Sequence, residues 1–104
     1  MTTAIDRERL AATFTKLCGI SSPSRREGKI SAYLKEAFAA LGADAVYEDG
    51  SAVHTGSQSG NLIVRFEGTA PGREGFFLSC HMDTVEPAEG VEVVRTGDIF
   101  TSRG

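Results

Sequence analysis

The sequence predicts an α/β fold in which two helices precede several strands and a β-hairpin. Two segments near the N-terminus carry apolar residues at helical spacing, and a glycine follows each of them. The rest of the chain instead contains short strand-forming runs, separated by segments rich in Gly, Ser, Pro and Asp. The chain has 104 residues, of which 40% are hydrophobic and 24% charged, and residues 1–104 are expected to belong to a single domain.

The first predicted helix spans about residues 4–18. Leu10, Phe14 and Leu17 lie at i, i+4 and i+7, so their side chains form one apolar stripe along the helix. Gly19 is expected to end the helix.

The second predicted helix follows a turn and runs to Leu41. Ser24 and Glu27 have the spacing of a capping box, in which the hydroxyl and the carboxylate each accept a free backbone N–H. Gly42 suits the left-handed residue that follows many helices. The apolar face of this helix consists of Ile30, Tyr33, Leu34, Ala37, Phe38 and Leu41.

The remaining elements are strands. They are expected at 45–47, 61–66, 76–80, 91–95 and 99–101, with a loop at 49–60. The run 76–80 is apolar at nearly every position, as in a central strand buried on both faces. Two helices cover one face of a sheet, and no helix is predicted after this run to cover the other. We therefore expect the chain to be the first part of a larger domain.

Composition and charge exclude several classes of function. The net charge is −3 and the pI is near 5.3, so we expect no nucleic-acid partner. No apolar run is long enough to span a membrane, and the charged first ten residues do not resemble a signal peptide. A cytoplasmic location is the expectation. Cys18 and Cys80 lie far apart in apolar surroundings, which favours buried free thiols over a disulfide.

The residues with a chemical signal are His81 and Asp83, directly after the buried run. In open α/β sheets ligands bind beyond the carboxyl ends of strands. Residues two apart in extended chain point to the same side, so Asp83 can accept from one ring nitrogen while the other binds zinc. From spacing and position alone, a metal site and an ordinary polar loop both remain open. His54 lies in a polar loop and is interpreted as a surface histidine.

Residues 77–85, Phe-Leu-Ser-Cys-His-Met-Asp-Thr-Val, resemble the first metal-site segment of a family of zinc exopeptidases. That family includes peptidase T, carboxypeptidase G, aminoacylase and succinyl-diaminopimelate desuccinylase. Residues 17–24 and 27–41 resemble its first helix, entry turn and second helix, and Gly-Asn-Leu-Ile-Val at 60–64 resembles one of its strands. Within the family, peptidase T is most similar to this chain in Asn61, in the run 81–85, and in Pro87, Gly90 and Val91 that follow that run.

The resemblance implies the N-terminal part of a three-layer catalytic domain. His81 would bind one of two zinc ions, and the catalytic role implied for Asp83 is to support that histidine. The full protein would hydrolyse amide bonds, as an aminopeptidase that acts on short peptides, and would form a homodimer. The family's bridging aspartate, general-base glutamate, remaining ligands and lid domain are absent from the sequence, so the 104-residue chain alone is expected to be inactive.

Three alternatives stay open at this point. A deacylase or a carboxypeptidase of the same family would carry the same segments. A non-catalytic remnant would also carry them, and a structural α/β domain would contain the His-x-Asp sequence by chance.

Overall fold

The computed structural model of the protein describes residues 4–103, so Met1–Thr3 and Gly104 of the predicted domain lie outside the described residues. The fold is a mixed α/β arrangement in which two helices precede antiparallel strand pairs, as predicted. In chain order the elements are α1 (Arg7–Cys18), α2 (Gly28–Ala40), β1 (Ala45–Glu48), α3 (Ala52–Thr55), β2 (Leu62–Arg65), β3 (Glu92–Thr96) and β4 (Ile99–Arg103).

Helix α1 starts later than predicted because Asp6 caps it. The Asp6 carboxylate accepts from the backbone N–H of Arg9 at 3.0 Å, which satisfies one of the free donors of the first turn. The helix ends at Gly19, as expected. Its face packs against β3, and the rings of Phe14 and Phe100 meet edge to face with centroids 5.4 Å apart.

Five residues of the apolar face predicted for α2 are buried or half-buried, but Leu41 is 67% exposed and follows the helix. The predicted capping box is wrong. The helix begins at Gly28, and Glu27 occupies the cap position without a side-chain hydrogen bond to the helix. The Ser24 hydroxyl and the Glu27 carboxylate instead bond to distant residues, Asp83 and Ser57. Gly42 follows the helix with φ of 84°, which confirms the left-handed position.

The strands form two separate two-stranded antiparallel sheets within residues 4–103. Strand β1 pairs with β2, with Ala45 opposite Arg65, and α2 packs against β1. The predicted loop between these strands contains the short helix α3. Strand β3 pairs with β4 as a hairpin whose two-residue turn is Gly97–Asp98, and Gly97 has the left-handed φ of 62° that such turns require.

The apolar run 76–80 differs from the prediction. It pairs with no strand among the described residues, and Phe76, Phe77 and Leu78 are 89%, 87% and 87% exposed. No described element covers either face of the run, so its apolar side chains remain in solvent. Cys80 is exposed as well, which makes the prediction of a buried thiol wrong for this cysteine, and Cys18 is half-buried.

The hydrophobic core of the described chain is small. Ala11 of α1 and Ile30 of α2 are its buried hydrophobic residues, and the edge-to-face pair of Phe38 and Phe66 lies between α2 and the end of β2. Between residues 4 and 103 no helix is both long and apolar enough to cross a bilayer.

Candidate functional site

The His81–Asp83 segment lies against the turn that precedes α2. Ser22 is 2% exposed, and its hydroxyl donates to the backbone carbonyl of Met82 at 2.5 Å. The N–H of Thr84 donates to the carbonyl of Ser22 at 2.8 Å, and Pro23 forms a parallel bridge with Thr84. Two segments about sixty residues apart in sequence are therefore fixed to each other on both sides of Asp83.

The ring of His81 contacts Asp83, as the spacing predicts. Nδ1 of His81 lies 2.7 Å from the backbone carbonyl oxygen of Asp83 and 3.0 Å from its carboxylate Oδ1. A carbonyl oxygen can only accept a hydrogen bond, so Nδ1 carries a proton, and in the neutral ring Nε2 carries the lone pair. The His81 side chain is 83% exposed, which leaves Nε2 accessible to a ligand.

The carboxylate of Asp83 has a second partner that the sequence did not indicate. The Ser24 hydroxyl donates to Oδ2 at 2.9 Å, while Oδ1 faces the imidazole. The hydrogen bond from Ser24 is the largest cause that holds the pKa of Asp83 below its ordinary value, and His81 lowers it further. Asp83 is therefore ionised at neutral pH and acts as a hydrogen-bond acceptor.

His81 and Asp83 fit the roles of one metal ligand and the carboxylate that supports it. The tautomer of His81 leaves its Nε2 available as a ligand, and an imidazole supported by a carboxylate is a common arrangement at zinc. In the part of the chain that the structure describes, no three His, Cys, Asp or Glu side chains are grouped closely enough to bind a metal ion. His54 is exposed on α3, and Asp98 forms an ion pair with Arg7 at 2.5 Å.

An open groove of about 780 Å³ borders the pair. Its walls include Leu34 and Phe38 of α2 and Leu62 of β2, together with His81 and Asp83. The imidazole therefore lies at the edge of this open groove.

Asp49, which lies in the segment predicted as a loop, is the centre of a second polar cluster. Its carboxylate accepts from the N–H and hydroxyl of Ser51 and from the backbone and side-chain amides of Asn61. These hydrogen bonds hold the pKa of Asp49 far below its ordinary value, and the one from the Ser51 side chain has the largest effect. The cluster fixes the loop between β1 and β2 and gives Asn61, part of the Gly-Asn-Leu sequence, a structural role.

Two solved structures share this fold. An aminopeptidase PepT from Bacillus cereus ATCC 10987 matches 94% of this chain with a TM-score of 0.90 and 33% sequence identity. A tripeptidase from Staphylococcus aureus subsp. aureus Mu50 matches 96% of it with a TM-score of 0.87 and 37% identity. The chain has the fold of a peptidase T-like N-terminal segment.

The match covers only part of each relative. This peptidase T-like segment spans 26% of the length of each of the two solved chains. It is also 40% identical over 98 residues to the protein YqjE of Bacillus subtilis strain 168, which aligns 93% of this chain with 26% of that protein. No protein-family model matches the chain.

Proposed function

We propose that this chain forms part of the active site of a zinc-dependent exopeptidase, an aminopeptidase that acts on short peptides. The observation that carries the proposal is the His81–Asp83 pair, in which one ring nitrogen donates to Asp83 and the other is exposed with its lone pair. The similarity to an aminopeptidase PepT and to a tripeptidase supports the peptidase class.

His81 and Asp83 have distinct roles in this proposal. His81 binds a metal ion through Nε2. Asp83 accepts from Nδ1, which keeps the ring in one tautomer, fixes its orientation and makes Nε2 more basic. A zinc ion held there by His81 would supply Lewis-acid chemistry for the hydrolysis of an amide bond.

The proposed centre holds two zinc ions and takes its other ligands and its general base from residues beyond this pair. A catalytic zinc needs about three protein ligands, and the described chain brings only one imidazole to this site. We therefore propose that the 104-residue chain is inactive by itself. A separate proposal, which the resemblance and the composition of the sequence support, is that the active protein is a cytoplasmic homodimer.

A deacylase or a carboxypeptidase would use the same metal chemistry on an amide bond. The two similar solved structures are an aminopeptidase and a tripeptidase, which favours a short peptide as the substrate. A non-catalytic remnant predicts that zinc binding does not depend on His81.

The test is zinc calorimetry on the full-length product of the gene, with His81→Ala and with His54→Ala as the matched control. His54 is the other histidine of this chain and lies exposed on α3. We expect roughly two zinc ions per active site, the loss of one in His81→Ala, and no change in His54→Ala. Undiminished zinc binding by His81→Ala would disprove the metal role.

Substrate class is tested separately with the zinc-loaded protein. A tripeptide with a free amino terminus should be hydrolysed, and the same peptide with an acetylated amino terminus should not. If the protein hydrolyses N-acyl amino acids and not tripeptides, the aminopeptidase proposal is wrong and the deacylase alternative holds.

A further inference from the structure

We propose that Ser24 is a positioning residue of this site, which holds the Asp83 carboxylate so that the His81 ring presents Nε2 to the metal. The inference rests on the proposed function for its metal. The chain of contacts runs from the Ser24 hydroxyl to Oδ2 of Asp83 at 2.9 Å, and from Oδ1 of Asp83 to Nδ1 of His81 at 3.0 Å.

The two oxygens of Asp83 have separate partners. The terminal torsion of an aspartate side chain is broad, so a carboxylate held at one oxygen only can turn about its own axis. With Ser24 on Oδ2, the plane of the carboxylate is fixed by two hydrogen bonds on opposite sides. Both partners are donors to an ionised acceptor, and hydrogen bonds to an ionised acceptor are stronger than bonds between neutral groups.

Ser24 is itself held in place by its loop. The buried Ser22 hydroxyl donates to Met82, and Ser22 accepts from Thr84, so the loop is attached to the residues on both sides of Asp83. On the other side of Ser24, the carbonyl of Arg25 accepts from the N–H of Gln58 at 3.0 Å. The backbone that carries the Ser24 hydroxyl is therefore fixed relative to the carboxylate.

Ser24 has no competing structural role at the start of α2. That helix begins four residues later, at Gly28, and its cap position is occupied by Glu27. The described contacts of the Ser24 hydroxyl consist of the one to Asp83. Removal of this hydroxyl should therefore alter the site without weakening the helix.

The experiment compares Ser24→Ala, Ser24→Thr and Ser21→Ala in the full-length gene product. Ser24→Thr keeps the hydroxyl, and Ser24 is exposed, so the added methyl group has room. Ser21→Ala is the matched control, because it removes a hydroxyl from the same loop that donates to Glu89 at 3.2 Å and not to Asp83.

Two measurements are made on each variant. Zinc calorimetry should show about tenfold weaker binding in Ser24→Ala, the lower end of the loss on removing a partner behind a metal ligand. The ¹⁵N NMR spectrum of the His81 imidazole, in the metal-free protein, should keep the Nδ1–H tautomer, because the backbone carbonyl of Asp83 still accepts from Nδ1, but the Nδ1 resonance should shift as the carboxylate loses its fixed position. Ser24→Thr and Ser21→Ala should match the wild type in both measurements, and the thermal midpoints should agree.

The outcomes separate this inference from the proposed function. If His81→Ala loses zinc while Ser24→Ala keeps wild-type affinity and spectrum, the role of Ser24 is disproved and the peptidase proposal stands. A failure of Ser24→Thr to restore affinity also overturns the inference, because the hydroxyl is then not responsible. If the wild type binds no zinc through His81, the proposed function fails and with it the metal role of Ser24.

Discussion

Gly60 is predicted to tolerate no side chain, and the reason is space. The residue is buried, and a Cβ added to it would overlap the carbonyl oxygen of Asp49, lie 2.7 Å from Oδ1 and lie 3.0 Å from the carbonyl carbon. Carbon atoms in good contact are about 3.5 to 4.0 Å apart, so the overlap with that carbon alone is about 0.5 Å. Gly60 does not have a left-handed φ, so backbone strain is not the cause.

The expected cost of Gly60→Ala follows from what the new methyl group meets. Overpacking of this kind costs about 1 to 3 kcal/mol, and the upper half of that range applies because backbone atoms cannot rotate away. Movement of Asp49 would also disturb its hydrogen bonds to Ser51 and Asn61. Gly50→Ala is the matched control in the same loop, since an added Cβ there meets nothing within 4 Å.

The assay is hydrogen exchange of the backbone amides of Asp49 and Asn61 in the full-length gene product. Each of these N–H groups donates across the β1–β2 loop, at 2.9 and 2.8 Å. A loss of about 2 to 3 kcal/mol corresponds to a decrease in protection of about 30- to 150-fold, since 1.4 kcal/mol is a factor of ten. Gly50→Ala should keep wild-type protection. Equal protection in the two variants would refute the steric argument.

Two further predictions concern acid and the isolated chain. The folded-state pKa of Asp49 is depressed, so its stabilising contribution is present above the unfolded pKa of about 3.9 and is lost as the pH falls through the folded-state pKa. Asp49→Asn should therefore lower the urea midpoint of the metal-free protein most at neutral pH, and the difference should shrink below about pH 4; a pH-independent difference would contradict this. The 104-residue chain alone should show no cooperative thermal transition, because Ala11 and Ile30 are its buried hydrophobic residues within 4–103 while 76–78 are exposed; a sharp transition in a monomer would refute that.

The elements that depend on nearby residues could be predicted from the sequence. The apolar face of α2, the left-handed Gly42 after it, and the hairpin between the strands predicted at 91–95 and 99–101 all arise within a few residues of the chain. The contact between His81 and Asp83 belongs to the same class, because alternation in extended chain brings side chains two apart to one side. Local geometry alone was sufficient for these predictions.

Burial of the run 76–80 could not be predicted in the same way. Its composition indicates that it gains free energy from burial on both faces, but burial requires other elements that lie over those faces. No such element is present among residues 4–103, and Phe76 and Phe77 remain almost fully exposed. An apolar run therefore predicts that burial of the segment is favourable, and the other elements of the fold determine whether it is buried.

The capping box that does not form shows why the contact between Ser24 and Asp83 was not predicted. A hydroxyl at Ser24 and a carboxylate at Glu27 satisfy the local pattern, yet each has a stronger partner from elsewhere in the chain. Ser24 donates to the Asp83 carboxylate at 2.9 Å, and Glu27 accepts from the Ser57 hydroxyl at 2.7 Å. A helix N-terminus offers Ser24 only a backbone N–H donor, which water can replace at an exposed helix end, whereas the ionised carboxylate is a charge-assisted acceptor. The sequence identifies a hydroxyl that is able to form a hydrogen bond, but the fold determines that this bond is made to the residue that orients His81.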